Sequence, residues 1–255
     1  MASSVGAMGV EVLGDAEAVA ARAADLIIEA VRAQPHLVLC AATGSTPTRT
    51  YELLAERAEA EPSLFGSLRV VKLDEWAGLA MDHPSTCEAY LQAHVLTPLA
   101  IPPERYLSFV SDAADPAAEC RRVQSELDGW GGVGISLLGI GLNSHLGLNE
   151  PADALVGPAH VATLEARTAN HTMLADEGIT VSEGITLGMD SVLGSALVLL
   201  LVTGEHKAAA LHDSLSCTAS DPQYPASTLR DAQHECVCLC DEAAFAEHKV
   251  ANGKL

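Results

Sequence analysis

Ile135-Ser-Leu-Leu138, followed at once by Gly139-Ile-Gly-Leu-Asn-Ser-His-Leu-Gly-Leu-Asn-Glu-Pro151, is the stretch whose reading decides the fold. The first four residues form an apolar run of strand length, and Gly139 and Gly141 end it. The loop behind them carries an imidazole (His145), a carboxylate (Glu150), two amides (Asn143 and Asn149) and a hydroxyl (Ser144), with Gly147 and Pro151 as further punctuation. A loop this rich in proton-handling and turn-forming residues, set directly after a strand, is a candidate active-site loop.

The same arrangement recurs on either side of it. Leu37 to Ala42 is a short continuous apolar run, as expected of a buried parallel strand, and Thr43-Gly-Ser-Thr-Pro47 turns from it into a helix over 48–60. A strand over 68–73 ends at Asp74-Glu75, and the run 197–202, the most apolar of the chain, ends at Thr203-Gly-Glu-His-Lys207 before a helix over 208–215. Helical spacing covers 15–32, 84–99 (with Ser85 as its cap), 115–130, 168–176 and 190–195; shorter strands are expected over 106–109, 161–164 and 237–239, and a loop over 222–225. The alternation runs without a linker, a repeat or a low-complexity block. It predicts an α/β fold, one doubly wound, mostly parallel sheet with helices on both faces, in a single domain spanning 1–255. Residues 1–9 and 249–255 are expected to be mobile ends.

Composition narrows the function classes. Of 255 residues, 49% are hydrophobic and only 4% aromatic, so the core must be built from Ala, Val, Leu and Ile. A net charge of −20 argues against nucleic-acid and anionic-membrane partners. No apolar run reaches the ~18 residues of a membrane span. The first nine residues lack the basic and apolar regions of a secretory signal, so a cytoplasmic protein with free thiols is expected. Cys236, Cys238 and Cys240 alternate on one strand face near His234, but this spacing does not make a zinc site.

In a parallel sheet the carboxyl ends of the strands share one edge, so four corners should converge on one crevice: 43–46, 74–75, 139–150 and 203–207. Gly44 lets the backbone approach an anion, while Ser45 and Thr46 bring hydroxyls and N–H groups to a helix start. The nucleotide-binding glycine motifs are absent. Lys207 is one of only four lysines and lies at a helix start, where a cation opposes the helix dipole unless an anion is bound there. One carboxylate of the Asp74-Glu75 pair could act as a base.

The stretches A-T-G-S-T-P (42–47), L-D-E-W-A-G-L (73–79), L-G-I-G-L-N-S-H-L-G-L-N-E-P (138–151), G-I-T-L-G-M (184–189) and L-L-L-V-T-G-E-H-K-A (199–208) together resemble the glucosamine-6-phosphate deaminase and 6-phosphogluconolactonase superfamily, in its order and over nearly the whole chain. H-L-G-L-N-E-P resembles the deaminase side. With P-S-T-C-E-A-Y-L-Q-A-H and E-A-R-T, the finer likeness is to the galactosamine-6-phosphate isomerase branch. The resemblance implies a Rossmann-like, sugar-phosphate isomerase type of fold. It also implies an enzyme that opens an amino-sugar 6-phosphate ring, isomerises it to a ketose phosphate and releases ammonia, here galactosamine 6-phosphate to tagatose 6-phosphate.

By the same resemblance Asp74 is the base that moves a proton between C2 and C1, His145 opens the ring with Glu150 as its partner, and Gly44, Ser45, Thr46 and Lys207 hold the phosphate. No metal or organic cofactor is implied, and family members range from monomers to homo-oligomers. Glucosamine 6-phosphate is the alternative substrate; a lactonase or a sugar-phosphate sensor is the remoter one. The sensor would carry a DNA-binding segment, whereas the residues before Leu37 hold one helix and no basic patch.

Two positions depart from the glucosamine pattern. Asn143 stands where those enzymes typically have aspartate, and an amide cannot supply the charge that supports a protonated histidine, so His145 should rely on Glu150 alone. Thr172, in Ala169-Asn-His-Thr172, stands where many have a phosphate-binding arginine, for which Arg167 is a candidate substitute.

Overall fold

The computed structural model describes residues 8–165, 168 and 179–251. Ten strands are found among these residues: β1 (Gly9–Leu13), β2 (Val38–Ala41), β3 (Arg69–Lys72), β4 (Asp74–Trp76), β5 (Tyr106–Leu107), β6 (Ile135–Gly139), β7 (His160–Thr163), β8 (Glu183–Thr186), β9 (Leu197–Val202) and β10 (Glu235–Asp241). Seven of them form one sheet in the order β1-β10-β9-β6-β2-β3-β5, and all its pairings are parallel. From β2 the chain moves outward through β3 to β5, then returns to β6 and moves the other way. The switch point therefore lies between β2 and β6, where open α/β sheets hold their ligands.

The α-helices among the described residues are α1 (Ala16–Ala33), α2 (Ser45–Ala60), α3 (Cys87–Leu91), α4 (Pro116–Gly129), α5 (Met189–Leu193), α6 (Ala208–Ser216) and α7 (Glu242–Ala251). Side-chain alternation along the strands divides the core in two. Leu39, Leu199 and Leu201 pack with Ile27 of α1 and Leu54 of α2. Cys40, Val198 and Leu200 face the other way, against Val123 of α4, Leu211 of α6 and Ala244 of α7. This is the doubly wound arrangement expected, with helices on both faces. Cys236, Cys238 and Cys240 share one face and lie inside the second cluster as small apolar side chains.

Several expectations need correction. Asp74 and Glu75 do not close a strand in a turn; they open β4, which pairs antiparallel with β8 in a second, three-stranded sheet β4-β8-β7. That sheet covers a small core of Trp76, Cys87, Leu148, Ala162, Leu164 and Val181. The segment expected as one helix over 84–99 is α3 capped by Thr86, whose hydroxyl accepts from the Ala89 N–H, and it continues as a π-helical turn, Gln92–Leu96. Ser85 is not the cap. β1 starts at Gly9 and α7 runs to Ala251, so ordered elements reach into both ends expected to be mobile. Of the helix expected over 168–176, only Thr168 is among the described residues; Arg167 and Thr172 lie outside them.

Candidate active site

All four expected corners line one cleft of about 430 Å³ at the switch point. Gly44, Ser45 and Thr46 follow β2, Asp74 follows β3, Gly139 to Asn143 and His145 follow β6, and His206 and Lys207 follow β9. Cys87, Trp76 and Thr168 complete the walls, and sequence reasoning had assigned none of the three a place in the site.

The end of the cleft at Gly44 and Lys207 is shaped by backbone. Gly44 has φ of +114°, a conformation that a side chain would strain, and it caps α2. Its carbonyl accepts from Thr48 Oγ1 and Tyr90 OH, both at 2.9 Å, which pins the loop at the start of α2, where Ser45 and Thr46 line the cleft. Lys207 ends a 3₁₀ turn, Glu205–Lys207. Its Nζ donates to the Ile140 carbonyl at 2.6 Å, and burial lowers its pKa. A dianionic ligand would oppose that loss of charge.

The loop after β6 contains a tight turn closed by two hydrogen bonds. Gly141 N–H donates to His145 O at 2.9 Å, and Ser144 N–H to Gly141 O at 3.0 Å. Ser144 takes φ of +69°, a left-handed conformation tolerated because its buried hydroxyl donates to Ala210 O and its carbonyl accepts from Ala226 N–H. The turn folds the imidazole flat over Gly141: a Cβ there would lie 2.4 Å from the His145 ring, so glycine is required. Asn149 is a brace, its Nδ2 donating to Leu146 O and Leu187 O.

His145 Nδ1 lies 3.3 Å from Glu150 Oε2 and 3.4 Å from Thr168 Oγ1. Burial alone would raise the Glu150 pKa, but hydrogen bonds from His145, Thr168 and Asn143 and the charge of His145 outweigh it and hold the group below the usual carboxylate range. Asn143 is more than a neutral substitute. Its Oδ1 accepts from His145 N–H at 3.3 Å, while its Nδ2 donates at 2.8 Å to Glu150 Oε2 and at 2.8 Å to Glu165 Oε2. Among the described residues Glu150 is the carboxylate in contact with His145, and Asn143 ties it to a second carboxylate, Glu165, which was not recognised in the sequence.

Asp74 is only 8% exposed. Burial is the largest influence on it and the adjacent Glu75 charge the next, and together they push its pKa to about 7 against the opposing effects of His145, Lys72 and Cys87. Cys87 Sγ lies 3.8 Å from Asp74 Oδ1 and receives a hydrogen bond from Thr43 Oγ1. Such a carboxyl is poised to take and return a proton near neutral pH.

The family model for glucosamine-6-phosphate isomerases/6-phosphogluconolactonase matches residues 14–238. AgaI of Escherichia coli (strain K12), which is named as a deaminase, is 41% identical over 212 residues, 83% of this chain and 84% of that protein. A glucosamine-6-phosphate deaminase of Streptomyces coelicolor is 34% identical over 251 residues, 96% of this chain and 94% of its own. Among solved structures, a monomeric glucosamine-6-phosphate deaminase superposes with a TM-score of 0.87 at 32% identity, covering 94% of this chain and all of that one. With the fold, the strand-end cleft and these relatives in agreement, the chain belongs to the glucosamine-6-phosphate isomerase/6-phosphogluconolactonase family.

Proposed function

We propose that this protein is an isomerase/deaminase of hexosamine 6-phosphates, and that galactosamine 6-phosphate is its preferred substrate, giving tagatose 6-phosphate and ammonia. One observation carries the reading: a single cleft joins a buried carboxyl of raised pKa, a histidine–carboxylate pair and a glycine-shaped helix start with a lysine beside it.

The chemistry follows from those groups. With the phosphate held by the N–H groups after Gly44 and by Lys207, the sugar ring reaches toward His145. The imidazole takes the proton of the anomeric hydroxyl and gives one to the ring oxygen, so the C1–O5 bond breaks and the open-chain aldehyde forms; Glu150 stabilises the charge that passes through the ring. Asp74, ionised, then removes the C2 proton and returns it to C1 while the amine gives up one proton and O1 takes one up, converting the 2-amino aldose to a 2-imino ketose. Water adds at C2 and ammonia leaves, which balances as amino-sugar phosphate plus water giving ketose phosphate plus ammonia. No helix among the described residues is long and apolar enough to cross a membrane. We further infer a cytoplasmic site of action.

The galactosamine preference is supported by Asn143 and by the E-A-R-T stretch 165–168, which resemble that branch. Glucosamine 6-phosphate remains the second reading because the S. coelicolor relative bears that name. The test offers purified protein galactosamine 6-phosphate, glucosamine 6-phosphate and 6-phosphogluconolactone while ammonia and acid release are followed. Ammonia release fastest from the galactosamine compound is expected. A faster glucosamine reaction would reverse the preference, and lactone hydrolysis alone, or binding without turnover, would sink the deaminase assignment.

A further inference from the structure

Asn143 has the donor pattern of a bridge. Its amide spends Oδ1 on the His145 N–H and both of its N–H groups on carboxylates, one on Glu150 and one on Glu165, each at 2.8 Å. The orientation of the side chain is thus fixed on three sides, and the two carboxylates sit one amide apart. An aspartate at this position would offer no donor and would face two like charges. An asparagine is therefore the residue demanded by Glu165, and Glu165 returns the negative charge that the amide lacks.

We propose that Glu165 is a positioning residue for ring opening, coupled to Asn143, and that the Asn143–Glu165 pair does the work a single aspartate would do beside His145. The amide aims Glu150 at the imidazole, whose Nδ1 is 3.3 Å from Glu150 Oε2, and the carboxylate of Glu165 keeps the amide turned the right way. Among the described residues, the other charged and titratable groups lining the cleft with the imidazole are Asp74 from β4, Cys87 from α3, and His206 and Lys207 after β9. Among the described residues Asn143 donates only to Glu150 and Glu165, so the coupling tested is that between positions 143 and 165. The proposal rests on the deaminase reading for its kinetic consequence, but not for the coupling itself.

The experiment is a double-mutant cycle of Asn143→Asp, Glu165→Gln and the two together, read as kcat, KM and thermal midpoint of the unliganded protein. Asn143→Asp crowds three carboxylates and should lower kcat about tenfold, with KM for the sugar phosphate changed less than about twofold, because the phosphate end is untouched. Its Tm should fall by about 4 °C. Glu165→Gln frees the amide to turn and should lower kcat about threefold. In the double variant the amide introduced at 165 can donate to the carboxylate introduced at 143. Both kcat and Tm should then recover to within about threefold and about 1 °C of the parent protein.

A residue serving only as a solvated surface charge would give additive effects and no rescue, and that result overturns the proposal, as does an Asn143→Asp variant indistinguishable from the parent. If neither amino-sugar phosphate is turned over by the parent protein, the deaminase reading falls by itself. The Tm cycle still decides whether 143 and 165 are coupled.

Discussion

Asp74 and Glu75 are neighbours in sequence and opposites in surroundings. Glu75 is fully buried and fully satisfied: Oε1 accepts from the N–H groups of Trp76 and Cys87, and Oε2 from Lys72 Nζ and the Glu88 N–H. Lys72 is equally buried and also pairs with Glu88, whose Oε2 accepts from Tyr106 OH and Ser108 Oγ. Asp74, one residue earlier on the strand, turns its carboxyl the other way, into the cleft, where the thiol of Cys87 donates to it at 3.8 Å. Strand alternation alone sends adjacent side chains to opposite faces. One face thus becomes a rigid charged clamp that holds α3 against β4, and the other a carboxyl whose ionisation is left expensive. The clamp supplies the structure, and its negative charge next door also raises the Asp74 pKa.

Removing the reactive side of the contrast should have the largest effect. Asp74→Asn keeps the shape and removes the base, so kcat should fall by ~10³–10⁴ and proton exchange at C2 should cease; normal exchange in that variant would place the base elsewhere. The folded pKa of about 7 lies above the ordinary 3.8, so the folded chain holds this proton more tightly than the unfolded one. Asp74 therefore favours folding below about pH 4 and withdraws that contribution as pH rises through about 7. Asp74→Asn should accordingly gain about 1–2 kcal/mol at pH 8 and nothing at pH 4, measured by denaturant unfolding. For the parent protein, kcat/KM should fall on the acid side with a midpoint near 7, the pH at which Asp74 takes up its proton; a limb that stays flat down to pH 5 would contradict the assignment.

Breaking the structural side comes next. Lys72→Met removes the ammonium between Glu75 and Glu88 and leaves a buried and a partly buried carboxylate without their cation, a loss of about 3–5 kcal/mol of stability. Chemical denaturation checks this, and a change below about 1 kcal/mol would mean that the clamp carries little energy.

The contrast also marks what the sequence could and could not reveal. Strand-end corners at 43–46, 139–150 and 203–207 were legible because continuous apolar runs such as Leu197–Val202 announce buried strands, and glycines announce where they stop. The pair Asp74-Glu75 was recognisable as chemistry but not as structure. A three-residue strand such as β4 has too little sequence for a period, and its existence depends on pairing with β8, more than a hundred residues away. Which of the two acids faces the cleft was likewise set by contacts the pattern does not show: Glu75 is held by Lys72, three residues before it, and by the backbone of α3, 12 and 13 residues after it. Glu165 was invisible for a similar reason: its partner Asn143 lies 22 positions earlier, on the far side of β7. β1 was missed because Val10 and Val12, on an edge strand, stay exposed and leave no continuous buried pattern.

Lys207 tests the far end of the same cleft. Lys207→Ala should raise KM by about 10–100-fold and lower kcat by less, since the phosphate is a remote handle bound alike in ground and transition states. An unchanged KM would remove the lysine from the phosphate site.

The smallest expected effect concerns the atom that joins the two sides. Cys87 gives its backbone N–H to Glu75 in the clamp and its thiol to Asp74 in the cleft. The thiol's hydrogen bond favours the ionised carboxylate, but it is the weakest of the influences on Asp74. Cys87→Ala leaves the backbone bond in place and removes only the thiol. It should therefore move the acid limb of kcat/KM upward by a few tenths of a pH unit, with kcat at pH 8 reduced no more than about threefold. Cys87→Ser, which keeps a donor at that position, should bring the limb back toward the parent value. A limb displaced equally by both substitutions would show that the thiol acts by filling space between β4 and α3, and the link between clamp and base would then run through the charge of Glu75 alone.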